Sequence, residues 1–357
     1  MQRKAISFKG QKIYAGIDVH KSTWTVTTIP EIGTLKTHSQ KASAQELFDF
    51  LNRHYPEGDY FAVYEADFSG YSTYYSLSEY GIECIVVNAA DVPTTQYEEV
   101  MKSDPVDSVK LAKSLRADQL NGIYIREREN LDDRSLVRIR KMIQRELARY
   151  KNRVKHMLYS NDVTIPHQFD RPGYWPKAFI KWLREEVVLL SSTRTSLDIL
   201  LDQVEVVRKG LMKATLKVRH LSKSERYSEK FELIRSVPGI GLLTAMTILT
   251  EVYDVHRFRN EKQFASYLGL IPTSYSSGSR VIHGEKTFRG NKQIGPMLIE
   301  ASWIAINNDD ALALAYSNYR KKGLTPPEAI VRVARKLSNI IFSVLKNGKK
   351  YEPFEGN

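Results

Sequence analysis

Apolar positions in the first third of the chain fall in short blocks rather than long stripes. Residues 13–19 form an apolar run of strand length. The segment Trp24-Thr25-Val26-Thr27-Thr28 alternates and is rich in β-branched residues, the signature of a second strand, and residues 35–41 supply a third. Ser43 then caps a helix whose apolar face is Leu47, Phe48 and Leu51. A fourth strand follows at Tyr60-Phe61-Ala62-Val63-Tyr64-Glu65, and a helix over about 71–80 stops at Gly81. A strand around Cys84, a helix over about 105–117 and a short strand at 122–125 complete this part.

The period changes after residue 126. Leu136, Ile139, Ile143, Leu147, Tyr150, Val154 and Met157 recur at spacings of three and four, as do Leu197, Leu200, Val204, Val207 and Leu211. Such spacing predicts two long helices that form either an antiparallel hairpin or an intermolecular coil. An irregular, aromatic-rich stretch over 165–176 separates them. From residue 231 the chain reads as helical. Pro238-Gly239-Ile240-Gly241 lies between two helices, the second over 242–252. A polar, Gly-rich stretch runs over 273–291, and helices follow at 296–307 and 326–345. The expected organisation is an α/β domain at 1–126, a helical coiled-coil spacer at 127–230 and a mainly helical domain at 231–357. Three strands followed by alternating helices and strands is the order of an RNase H-like fold.

Charge adds a partner to this picture. The chain has 53 Lys and Arg against 41 Asp and Glu among 357 residues, a formal net charge of +12. Such an excess favours an anionic partner, nucleic acid first. The first long helix carries Arg138, Arg140, Lys141, Arg145, Arg149, Lys151, Arg153 and Lys155, and the last helix carries Arg332, Arg335 and Lys336. Both sets read either as solvated faces or as ridges that track phosphates. Gly239 and Gly241 suit a helix-hairpin-helix turn whose backbone N–H groups approach a phosphate, or an ordinary tight turn between packed helices. The single cysteine, Cys84, excludes an internal disulfide and reads as a buried strand residue. No apolar run reaches membrane-spanning length, and the basic N-terminus has no apolar signal region, so the expected location is the cytoplasm, with no membrane partner.

The candidate chemistry rests on four acids. Asp18 and Glu65 stand at the ends of predicted strands, while Asp104 and Asp107 are three apart where a helix begins, on one helical face. Acids so placed suit a hydrolase that holds two Mg²⁺ ions, because hard cations take oxygen ligands and a pair of ions can clamp the attacking and leaving oxygens of a phosphodiester. Plainer roles stand beside this one: a turn residue for Asp18, a surface acid for Glu65 with Asp67 as its competitor, and helix capping for Asp104 and Asp107. His20, His167 and His283 fit no familiar metal-ligand spacing.

Over nearly its whole length the chain resembles the DEDD transposases of the insertion sequence 110 family, RNA-guided recombinases. The matching blocks are Tyr14-Ala15-Gly16-Ile17-Asp18-Val19, then Tyr64-Glu65-Ala66 with Gly70-Tyr71, then Lys102-Ser103-Asp104-Pro105-Val106-Asp107-Ser108 with Leu111-Ala112. The C-terminal blocks are Tyr267-Leu268-Gly269-Leu270-Ile271-Pro272, Tyr275-Ser276-Ser277-Gly278, Lys286, Arg289-Gly290-Asn291 and Glu300-Ala301-Ser302-Trp303. Each block alone is weak, whereas their order and separation together are specific.

The resemblance implies an RNase H-like N-domain of the Holliday-junction resolvase type, a coiled-coil spacer, and a C-domain bearing a nucleophilic serine. The four acids of the family fall on Asp18, Glu65, Asp104 and Asp107, and the serine on Ser277, with Ser276 its rival by one residue of register. It further implies Mg²⁺, with Mn²⁺ as the alternative ion, donor and target DNA, and a structured non-coding guide RNA. A homo-oligomer, dimer or tetramer, would form through the coil in a bacterial or archaeal nucleoid setting. Lys286, Arg289 and Asn291 are candidate phosphate contacts. Two positions depart from the pattern: Ser108 replaces a small residue after the last aspartate, and Gly295 stands where an arginine is common. Two other classes fit the acids or the charge alone: a metal nuclease or junction resolvase in which water attacks, and a catalytically silent nucleic-acid binder.

Overall fold

The computed structural model describes residues 7–66, 69–96, 103–171, 173, 175–277, 280–286 and 290–353, with the backbone alone at 272–277 and 280–286. The chain divides into two compact units, Met1–Ile125 and Arg126–Asn357.

The first unit is a five-stranded sheet with helices. Its strands are β1 (Lys12–Val19), β2 (Thr23–Pro30), β3 (Lys36–Lys41), β4 (Asp59–Glu65) and β5 (Glu83–Val87), in the order β3-β2-β1-β4-β5. β1 pairs antiparallel with β2 and parallel with β4; β2 and β3 are antiparallel, and β4 and β5 parallel. Helices α1 (Ala44–His54) and α2 (Ser72–Glu79) follow β3 and β4, and Ser43 caps α1 through the Glu46 N–H, as its sequence predicts. One core joins Ile13, Ala15, Ile17, Val26, Leu47, Leu51, Tyr64 and Leu77, in keeping with the alternation of β1 and the apolar face of α1. Residues 122–125 are not a strand. The Ile123 N–H donates to Val86 O at 2.7 Å, a single bond along β5 that does not grow into a ladder.

Helix α3 (Asp104–Arg116) packs on β1, and one residue decides how closely. A Cβ on Gly16 would lie 2.2 Å from Ser108 O and 2.4 Å from Ala112 N. Any side chain larger than hydrogen would push α3 off the sheet. Ser108 is fully buried in this contact and shares a 2.8 Å hydrogen bond with the Thr27 hydroxyl on β2, so the departure from the family pattern is satisfied from the neighbouring strand.

The second unit is mostly helical: α4 (Arg128–Tyr159), α5 (Lys177–Glu185), α6 (Ser191–Leu221), α7 (Ser228–Arg235), α8 (Leu242–Val252), α9 (Glu261–Tyr267), α10 (Ile294–Ala305), α11 (Asp310–Lys321) and α12 (Pro326–Asn347). The long helices α4 and α6 pack on each other within the chain, through Leu147, Val154 and Leu158 against Leu197, Leu201 and Val204. Helix α5 joins them with buried Phe179, Ile180 and Leu183; its nine residues are too few to declare a period in the sequence. Val137 and Val218, from α4 and α6, belong to the same core as α8, α10 and α12, so this unit holds both segments that the sequence reading separates at residue 230. The polar, Gly-rich stretch at 273–291, where the sequence predicts no strand, contains most of an antiparallel hairpin of β6 (Pro272–Ser277) and β7 (Arg280–Lys286). Among the described residues no helix is long and apolar enough to cross a membrane.

Candidate active site

Asp18 lies near the C-terminal end of β1, and Glu65 is the last residue of β4. Parallel register pairs Ile17 with Tyr64, so the next residues, Asp18 and Glu65, stand side by side at the same end of the sheet. The close seat of α3 over Gly16 brings its first turn, with Asp104 and Asp107, to the same end. The four acids are thus gathered by two adjacent strands and one tightly packed helix.

Two basic side chains, His20 and Lys110, thread this cluster. His20 Nε2 lies 3.1 Å from Asp18 Oδ2 and 3.4 Å from Asp104 Oδ2. Lys110 Nζ lies 3.1 Å from Asp107 Oδ1 and 3.4 Å from Glu65 Oε1, with its side chain only 10% exposed. Burial raises the Asp18 carboxyl above its ordinary value; the charges of Asp104 and Asp107 push the same way, and His20 opposes them. Burial disfavours the Lys110 ammonium, but the Asp107 hydrogen bond and the Glu65 charge outweigh it and hold the pKa above normal. The Asp18, His20 and Asp104 ligand atoms lie within 4.8 Å of one another. Carboxylate oxygens held close against their own repulsion, with an imidazole nitrogen among them, fit a divalent cation.

His20 and Lys110 escaped the sequence reading, which gave His20 no metal-ligand spacing. Both carry a signal in hindsight. His20 is two residues beyond Asp18, the spacing that returns a side chain to one face of an extended segment, and Lys110 is three beyond Asp107 on α3.

The second unit places the remaining candidates. Ser277 ends β6 opposite Arg280, and Ser276 stands opposite Val281. The side chains of Ser276, Ser277, Lys286 and His283, and the whole of Asp67, Gly278 and Arg289, lie outside the described residues. Asn291, a candidate phosphate contact, is committed to the protein: its Nδ2 donates to Glu251 Oε2 at 3.0 Å, and its Oδ1 accepts from the Gln293 N–H at 2.8 Å at the start of α10. Gly295 lies under the Leu268 carbonyl, 2.7 Å from where a Cβ would stand, which leaves no room for the arginine of the family pattern. The two glycines of the helix-joining turn differ. Gly239 has φ +78° and a Cβ there would lie 2.2 Å from Ala301 O, so packing on α10 requires it; Gly241 precedes α8 with open space around it.

The basic face of α4 is also divided. Arg138 and Arg134 form ion pairs with the buried Glu251 at 2.6 and 3.0 Å, and Lys141 donates to Gln293 O. Farther along, Arg145 and Arg149 are exposed, the latter paired with Glu146. On α12, Arg332 and Lys336 are exposed and Arg335 is half-buried.

Comparison with known proteins gives two family matches. A transposase model for the DEDD group of IS110 matches residues 15–160, and a model described as transposase IS116/IS110/IS902 family matches residues 231–317. A putative transposase of Sinorhizobium fredii is 28% identical over 67% of this chain and 57% of its own length. The transposase for insertion sequence element IS1533 of Leptospira borgpetersenii is 26% identical over 70% of this chain and 72% of its own. A second putative transposase of S. fredii is 26% identical over 94% of this chain and 92% of its own. The chain belongs to the IS110 family of transposases, enzymes of DNA recombination and transposition.

Proposed function

We propose that this protein cuts and rejoins DNA through a serine–DNA covalent intermediate at a Mg²⁺-dependent site, guided by a structured non-coding RNA. The observation that carries the proposal is the carboxylate cluster at the ends of β1 and β4, where Asp18 and Asp104 meet His20, and Glu65 and Asp107 meet Lys110. Strand order β3-β2-β1-β4-β5, with acids at the ends of the central parallel pair, supports the RNase H-like reading of this unit. Asp18 and Asp104, with His20, would hold the ion, and Glu65 and Asp107 would complete the site as Lys110 gives way. When bound, Mg²⁺, or Mn²⁺ in its place, polarises a phosphodiester and stabilises charge that develops on its oxygens.

Ser277 supplies the nucleophile. Its Oγ attacks the scissile phosphorus, the Oγ–P bond forms as the bond to the leaving deoxyribose oxygen breaks, and that oxygen takes up the proton. One phosphodiester replaces another, so rejoining needs no ATP. Ser277 ends β6 where the hairpin pairs it with Arg280 of β7, a place that suits approach to a strand. An oligomer through the coil would join the acids of one subunit to Ser277 of another. The turn at Gly241, open in front of α8, would act as the helix-hairpin-helix phosphate contact.

The test is a denaturing gel with labelled donor DNA, Mg²⁺ and the RNA that copurifies with the protein. A protein–DNA adduct is expected, and Ser277→Ala should abolish it while RNA binding survives. An adduct lost in Ser276→Ala instead would move the nucleophile by one residue. Cleavage intact in Ser277→Ala would favour water as the nucleophile, as in a resolvase, and the proposal would fail.

A further inference from the structure

A cleft of about 660 Å³ opens in the second unit, lined in part by Arg219, Lys223, Arg235, Lys350, Phe231 and Glu232. The four cations come from four places in the chain: the last turn of α6, the segment after it, the end of α7 and the tail after α12. Among the described residues none of the four forms a salt bridge, and Glu232 is the only acid in the wall. Like charges gathered from separate elements repel unless an anion joins them. By contrast, Arg134 and Arg138 in the same unit meet on the buried Glu251. Here the fold assembles them and leaves them open.

The wall also carries Phe231, half-buried against the core. An aromatic ring flanked by cations presents a surface on which a base can stack while its phosphates are held. A free inorganic anion would make no use of the ring. Ser228, which brings a hydroxyl, and the first residue of α8, Leu242, line the same wall.

We propose that this cleft binds a nucleotide of a single-stranded nucleic acid, the phosphates on Arg219, Lys223 and Lys350 and one base against Phe231. This rests on the chain acting on nucleic acid and adds a place in the second unit where a strand is gripped. Arg235 also donates to Ile240 O at 2.6 Å, so it braces the turn before α8 as well as lining the cleft. DNA and RNA share the chemistry that the cleft recognises.

The experiment measures anisotropy of a labelled single-stranded DNA and of the same sequence as RNA, with full-length protein in EDTA. The variants are Arg219→Glu, Lys223→Glu, Lys350→Glu and Phe231→Leu, with Lys181→Glu on α5 as a control for net charge. Each cleft reversal should weaken binding about tenfold or more at low salt and lower the log–log salt slope by roughly 0.7. Phe231→Leu should weaken it about fivefold to a hundredfold, with the slope unchanged. Loss on one strand type or on both supports the cleft and identifies its strand. Unchanged affinity in all four variants, or an equal loss in Lys181→Glu, would overturn it. Thermal melts check that each variant folds. Because EDTA removes the metal, binding is read independently of cleavage: failure of the serine reaction leaves this result standing, and loss of the cleft leaves the acids in place.

Discussion

Lys110 illustrates how one side chain sets the state of a metal site before any metal arrives. Its ammonium is almost fully covered and lies between Glu65 and Asp107. Two neighbouring carboxylates without a counter-charge repel each other, so the lysine stabilises the fold in the form that lacks the ion. The same position makes it a competitor, because a divalent ion using Glu65 or Asp107 must displace it or share them. Replacement Lys110→Met should therefore have opposite effects on stability and binding. In EDTA the variant should melt below the native protein, while calorimetric titration with Mn²⁺ should show affinity tighter on the order of tenfold. Equal affinities would mean that the ammonium leaves the carboxylates without cost. Asp18 carries the complementary strain, its carboxyl raised by burial and by its acidic neighbours. A cation relieves that strain, the common condition of a site built for charge it does not itself contain.

At the scale of elements, the site depends on how closely α3 lies on β1. Gly16→Ala places a methyl group against Ser108 O and Ala112 N at distances no atom pair tolerates. The helix must shift, and with it Asp104 and Asp107. Overpacking of this kind should destabilise the first unit by about 1–3 kcal/mol in urea denaturation. Mn²⁺ affinity should fall at the same time, although no ligand is altered; a variant that lost stability but kept affinity would show that the acids do not need this packing. Much of this was legible in the sequence. The apolar runs, the Ser43 cap and the i, i+3 acids give the strands, α1 and the face of α3, because those signals are local. The sequence could not reveal that Gly16 serves a helix more than ninety positions away, or that Asn291 is spent on Glu251, since both are long-range contacts. The hairpin of β6 and β7 was hidden by its polar composition, and α5 by its brevity. His20 and Lys110 were missed because their partners are set by the fold and not by motif spacing.

At the scale of the whole molecule, the two units carry different charge chemistry, and that difference can be read from one calorimetric scan. The proposed metal ligands all belong to residues before 126, whereas the second unit buries Glu251 against Arg134, Arg138 and Asn291. Burial pushes the Glu251 carboxyl up, but the Arg138 hydrogen bond and the charges of Arg134 and Arg138 prevail, and its pKa lies below the ordinary value. A carboxyl lowered in the folded state contributes stability that is complete above its unfolded value, about 4.3, and is lost as pH falls through the folded value. Units with their own cores need not melt as one. Mg²⁺ at neutral pH should accordingly raise the melting of the first unit, by mass action on the folded form. Acidification below about pH 4 should lower the melting of the second unit, as its buried guanidinium groups lose their counter-charge. Glu251→Gln should already melt low at neutral pH and show a weaker further loss on acidification. The same substitution should leave the Mg²⁺ shift untouched. A single transition that responded to both treatments in the native protein and to neither in Glu251→Gln would instead show that the two units unfold as one cooperative body.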